Sequence, residues 1–154
     1  MLNWSSKDIT LFNAEREYID TAVIPLMHVA LDDGIKRAAE QGEFIQLLSV
    51  HLERQFKGRI LVLPPFTYFN EPDYKRDELI DWSKKAKEAG FSYVFYLTSD
   101  PKWKALNKDL LGSLIYIPSI PLENMDEHYK HSVIDNQLKS LIEDIIKAWQ
   151  IEND

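Results

Sequence analysis

The sequence contains no cysteine. Disulfides, thiolate metal sites and cysteine nucleophiles are thereby excluded. Basic residues are the minority charge: 18 Lys and Arg face 25 Asp and Glu, for a formal charge of -7. A chain with that balance repels phosphate backbones, so no nucleic-acid partner is expected. The best basic run, Lys84, Lys85 and Lys87, is interrupted by Asp81 and Glu88 and reads as a solvated helix face. Long hydrophobic runs are missing too. No stretch approaches the ~20 apolar residues of a membrane span. Residues 1–10 carry Lys7 and Asp8 and no apolar run, so they do not read as a signal peptide. The expectation is a cytoplasmic protein with no membrane span. The 154 residues, 45% hydrophobic and 28% charged, have globular proportions. They read as a single domain over residues 1–154, able to bury roughly 70% of its unfolded surface.

Four continuous apolar runs alternate with helical segments. The runs are Thr21 to Met27, Arg59 to Leu63, Tyr93 to Leu97 and Leu114 to Ile117. Runs without polar alternation are buried on both faces, as in a parallel sheet covered by helices. The predicted helices begin near Ser6, with Ser5 or Ser6 as cap. They continue over Ile35 to Phe56 (with a break expected near Gly42), Asp77 to Ala89, Pro101 to about Leu111, and Met125 to Trp149. Asp100-Pro101 is a cap followed by proline at the first helical position. On the last helix Val133, Ile134, Leu138, Leu141, Ile142, Ile145 and Trp149 form an amphipathic stripe assigned to the core, with a dimer contact as the alternative. Pro25 is the awkward residue. Either the first strand is an edge, or its ladder stops at Ile24. The fold class is therefore α/β, with about four mostly parallel strands flanked by helices and an extra N-terminal helix.

Only five glycines occur. Gly58, Gly90 and Gly112 each fall between a helix and the next strand, the helix-terminating position that favours left-handed backbone. None falls after a strand in a Gly-x-Gly-x-x-Gly or Gly-x-x-x-x-Gly-Lys pattern. The common nucleotide sites of α/β proteins are absent, and no cofactor is expected. In folds of this kind ligands bind at the C-terminal edge of the strands. The candidates at that edge are Thr67, Tyr68, Asn70, Glu71, Ser99, Asp100 and Ser119. They offer hydroxyls, an amide and carboxylates with almost no positive charge, so a neutral or cationic small molecule is favoured there, or a protein segment using exposed aromatics. The loop Thr67 to Lys75 is longer than a simple connection, and long loops on this edge tend to carry function.

Other candidates weigh less. His128 and His131 are three apart on the last helix beside Asp126 and Glu127, but a metal needs ligands from elsewhere as well. They read as surface histidines, and no metal is expected. His28 follows the first strand toward the ligand edge. No serine has a nucleophile-elbow context. Asp20 and Thr21 read as turn or capping residues.

Two segments, Tyr18 to Leu26 (YIDTAVIPL) and Lys57 to Tyr68 (KGRILVLPPFTY), resemble the YpiF-like family, a domain of unknown function from Gram-positive bacteria. The likeness extends over nearly the whole chain in length and element order. It implies no activity, cofactor or catalytic residue. The Leu-Pro-Pro-Phe strand end also looks like the N-terminal domain of TolB-type proteins, a small module used in protein association. The function read from sequence is thus unknown. A non-enzymatic interaction or accessory domain is the first reading, and a small-molecule binding protein or enzyme with its site at the C-terminal edge is the alternative. The protein is expected to be a monomer or homodimer. A deep pocket with converging polar groups at that edge separates the two readings.

Overall fold

The computed structural model describes residues 2–55, 58–69 and 71–153. Strand β1 (Thr21–His28) lies at the centre of a five-stranded sheet. On one side it pairs with β2 (Ile60–Val62) and, further along, with β3 (Phe66–Tyr68); on the other it pairs with β4 (Tyr93–Thr98), which pairs with β5 (Ser113–Tyr116). Every one of these pairings is parallel. The helices are α1 (Ser6–Ala14), α2 (Ile35–Glu53), α3 (Arg76–Glu88) and α4 (Glu127–Asn153), with 3-10 segments at Arg16–Tyr18, Pro72–Lys75 and Pro101–Asp109.

Because successive residues of a strand face opposite sides, the sheet feeds two cores. Val23, Val62, Phe95, Leu97 and Ile115 pack with Phe44, Ile45 and Leu48 of α2 and Ile134, Leu138, Leu141 and Ile145 of α4. Ala22, Ile24, Leu61, Val94 and Tyr96 pack with Phe12 of α1, Leu79 and Ala86 of α3, and Trp103. The result is three layers, with the apolar stripe expected on the last helix buried against the sheet.

Pro25 meets the second expectation on one side of the strand only. β1 is no edge, and its ladder with β4 runs on through Pro25, which is in register with Leu97. On the other side the ladder breaks: Val23 is in register with Val62, and pairing resumes only at Leu26 with Phe66. Thr21 donates to Arg59 O, Val23 O accepts from Leu63, and Val29 donates to Tyr68 O, so the odd-numbered residues turn their peptide groups to the β2–β3 side. Pro25 shares that parity. Its missing N–H therefore faces the Leu63–Pro64–Pro65 stretch, where no strand needs it.

Three further expectations change. The stretch expected to be one long loop after the second strand contains β3 and a 3-10 turn. The second helix is not broken at Gly42; Met27 packs against that glycine so closely that an added Cβ would lie 3.0 Å from Met27 Cε. Gly58 and Gly90 have positive φ, 94° and 107°, as expected. Gly112 does not belong with them, and its constraint is space: a Cβ there would sit 2.5 Å from Val94 O.

Candidate functional site

The chain leaves β1 through α2 toward β2, and leaves β4 through the Pro101–Asp109 segment toward β5. The two neighbouring strands thus send their connections in opposite directions. Such a switch point opens a crevice beyond the C-terminal ends of the strands. A cleft of about 830 Å³ occupies this place. Its walls are His28 to Asp32 after β1, the first turns of α2, Phe69, Glu71 and Tyr74 beyond β3, and Asp100 to Lys102 after β4.

Of the seven residues expected at this edge, Glu71 and Asp100 line the cleft. Asp100 is only 6% exposed. Its Oδ1 accepts from Lys102 N at 3.1 Å, as a helix cap should, and its Oδ2 accepts from the Tyr68 hydroxyl at 2.6 Å. Tyr68 lies beneath the cleft, 1% exposed, and its hydroxyl also accepts from Trp103 Nε1 at 2.8 Å. Burial and the Asp100 carboxylate push the Tyr68 phenol far above its ordinary range, so it stays protonated. Ser99 is buried and donates to Ile117 O at 2.7 Å, tying the end of β4 to the segment after β5. Thr67 is exposed and turned to Pro65 O. Ser119 and Thr67 do not line the cleft. Asn70 falls outside the described residues.

The expectation of almost no positive charge is corrected by α2 and by the β4 connection. Arg37 and Lys102 both line the cleft. Lys102 bonds Glu71 at 2.6 Å, which raises its pKa. Gly34, Arg37, Ala38 and Gln41 recur at helical spacing and present one face of α2 to the cleft. Gln41 is 7% exposed. Sequence reasoning missed both Arg37 and Gln41. The signal for Gln41 was its place in the stripe Ala38, Gln41, Ile45, Leu48, Leu52, where every other member is apolar. For Arg37 the signal was a first turn with bases and no acid, the reverse of what the helix dipole favours. His28 closes β1, lines the cleft and stacks on Tyr68 with ring centroids 5.1 Å apart. The rim carries Leu31, Phe69 and Tyr74, which are 75%, 59% and 77% exposed.

Elsewhere, His131 meets His51 of α2 edge-on at 5.8 Å. Asp126 Oδ1 accepts from His128 N at the start of α4. Among the described residues no group of three His, Cys, Asp or Glu side chains is placed to hold a metal. No helix is long and apolar enough to cross a membrane, again among the described residues.

These features define a three-layer α/β protein with an open cleft at its switch point. The chain belongs to a family described as Protein of unknown function (DUF2487), whose model matches residues 10–149. It is similar to the Uncharacterized protein YpiF of Bacillus subtilis (strain 168), with 37% identity over 148 residues, covering 96% of this chain and 98% of the relative. The likeness expected from residues 18–26 and 57–68 thus extends over the chain. No solved structure matches it.

Proposed function

We propose that the protein is a non-covalent binding module whose ligand seats in the switch-point cleft. The observation that carries this reading is the convergence of Arg37, Gln41, Asp100 and Lys102 on one cavity of about 830 Å³. Cavities of roughly 300–1,000 Å³ with a few converging polar groups are the usual form of a small-ligand site. Binding is favoured over catalysis by the state of the nearby hydroxyls. Ser99 is committed to Ile117 O, Thr98 Oγ1 accepts from Asp100 N, and Tyr68 is held protonated against Asp100. Asp100 is the one base against any of them, and its charge keeps the Tyr68 phenol protonated, the opposite of activation. The exposed rim of Leu31, Phe69 and Tyr74 supports a ligand with an apolar part, so that the interaction-domain and small-molecule readings meet at one place. A cytoplasmic setting goes with this proposal.

The test is to purify the protein under native conditions from cell extract, release what it carries and identify it by mass. A molecule carried by the wild type and lost from Gln41→Leu, at an unchanged thermal midpoint, is the expected result. Equal loads on both proteins would place the ligand elsewhere.

A further inference from the structure

We infer that the cleft takes a carboxylate joined to an apolar group, with the acid at Arg37 and Gln41 and the apolar group on the rim. This rests on the cleft being the binding site, and it adds the chemistry of the ligand. The preference for a neutral or cationic ligand rested on the edge loops alone and on the near absence of bases there. The side chains of α2 add two donors outside those loops, Arg37 and Gln41.

The decisive feature is which polar groups are already satisfied. The cleft holds three carboxylates, and each has a donor within the fold. Asp32 Oδ1 accepts from Gly34 N at 2.8 Å, Glu71 accepts from Lys102, and Asp100 accepts from both Tyr68 and Lys102 N. The donors are less well matched. Among the described residues the Arg37 side chain makes no hydrogen bond or ion pair, and the Gln41 side chain, on a residue more than nine-tenths buried, makes no hydrogen bond either, its amide atoms still reaching solvent at the cleft. An amide at the cleft wall offers a ligand both donors and an acceptor, and a guanidinium is a fork suited to two carboxylate oxygens. Both side chains stand on the first two turns of α2, whose leading N–H groups have no intrahelical acceptor and whose dipole favours an anion. Gly34 caps that helix without a side chain, and Ala38 adds only a methyl group, so the face between Arg37 and Gln41 is left open. Arg37 is therefore a base at the positive end of a helix, with no ion pair among the described residues. Its neighbour Lys36, by contrast, is paired with Glu123. Asp32, Glu71 and Asp100, together with the net charge of -7, repel a bare anion. The apolar rim is the part of the site that offsets this repulsion.

The experiment titrates labelled protein with 3-phenylpropanoate, 3-phenylpropanamide and 3-phenylpropylamine. It follows the amide resonances of Gly34 and Ala38 and the side-chain amide of Gln41. The acid should shift these signals and bind tightest. Arg37→Gln should weaken the acid by roughly ten-fold, the value of one charge-assisted hydrogen bond, and leave the amide unchanged. Lys36→Gln, one residue away but turned to Glu123, should leave the acid unchanged. Arg37 is exposed, so its replacement is not expected to unfold the chain, and the thermal midpoint checks this. N-acetyl-glycyl-phenylalanine and its C-terminal amide separate a peptide end from a free organic acid: the peptide acid binds better than 3-phenylpropanoate in the first case and worse in the second. If the amide or amine shifts the cleft signals as strongly as the acid, or if Arg37→Gln has no effect, the carboxylate is overturned and the cleft stands. If none of the probes moves a cleft signal, the cleft falls as well.

Discussion

The hydroxyl of Tyr68 donates to Oδ2 of Asp100 at 2.6 Å while accepting from Trp103 Nε1 at 2.8 Å. This joins the end of β3 to the start of the segment after β4 and fixes a buried carboxylate in the floor of the cleft. Tyr68→Phe removes the donor to the carboxylate and the acceptor of the indole together. An unsatisfied buried group costs roughly 1–3 kcal/mol, and more where it is charged. The expected outcome is a loss of at least that order in chemical denaturation. An unchanged midpoint would show that water replaces the hydroxyl.

The C-terminal helix should behave as core. Leu141 is buried among residues of the sheet and α2. Leu141→Ala is expected to lower the unfolding free energy by about 2–5 kcal/mol. If the variant instead keeps its stability and changes its mass in sedimentation, the stripe is an intermolecular contact.

A pH dependence should come from the α2–α4 contact. Burial lowers the pKa of His51 below its ordinary value of 6.5; the charge of Arg54 and the ring of His131 act the same way, and Asp135 opposes them. With the folded pKa below the unfolded one, the unfolded chain takes up the proton first. This contribution to stability is whole above pH 6.5 and is lost as pH falls through the lower, folded pKa. Urea titrations between about pH 8 and 5 should show a decline that His51→Gln makes shallower. Identical slopes in the two proteins would remove His51 from the explanation.

Gly112→Ala tests a purely steric constraint. The new methyl would meet Val94 O at 2.5 Å and the ring of Tyr96 at 3.0 Å, where the backbone N–H of Gly112 already donates to the Tyr96 hydroxyl. Overpacking of this kind costs about 1–3 kcal/mol. Because the conflict is with backbone, Gly112→Ala should destabilise as much as Tyr68→Phe despite adding a single carbon. Wild-type stability would mean that the β5 entry can shift without cost.

Much of this architecture was legible because its signals are long. The runs Ala22 to Met27 and Tyr93 to Leu97 have no charged residue and little polar character, and both are inner strands. The stripe from Ile134 to Trp149 repeats over four turns. β3 was missed because three residues behind Pro64-Pro65 have no measurable period, and its partner is found across the chain, not nearby. The site was legible only in location. The edge and its loops follow from strand direction, but which side chains enter the cleft depends on helix rotation. Of the expected residues, Tyr68 and Ser99 turn inward, since the short β3 and the tight exit from β4 bury them. Gln41 looked like one polar residue in an apolar stripe, and only the cavity beside it gives that position a meaning.

The broken side of the sheet has a consequence for how copies of this protein behave in a crowded solution. A long bare strand margin invites a second chain to add itself and so to begin an aggregate. Here the margin beside β1 consists of two three-residue pieces divided by Pro64 and Pro65. Its first piece is covered by Leu2, which bridges to Leu61 and exchanges hydrogen bonds with Ile60 and Val62. The opposite margin, β5, is four residues long and is followed by Pro118. Neither side offers an incoming strand a continuous template. The same proline pair that splits the ladder thus also guards the folded chain against self-templated growth.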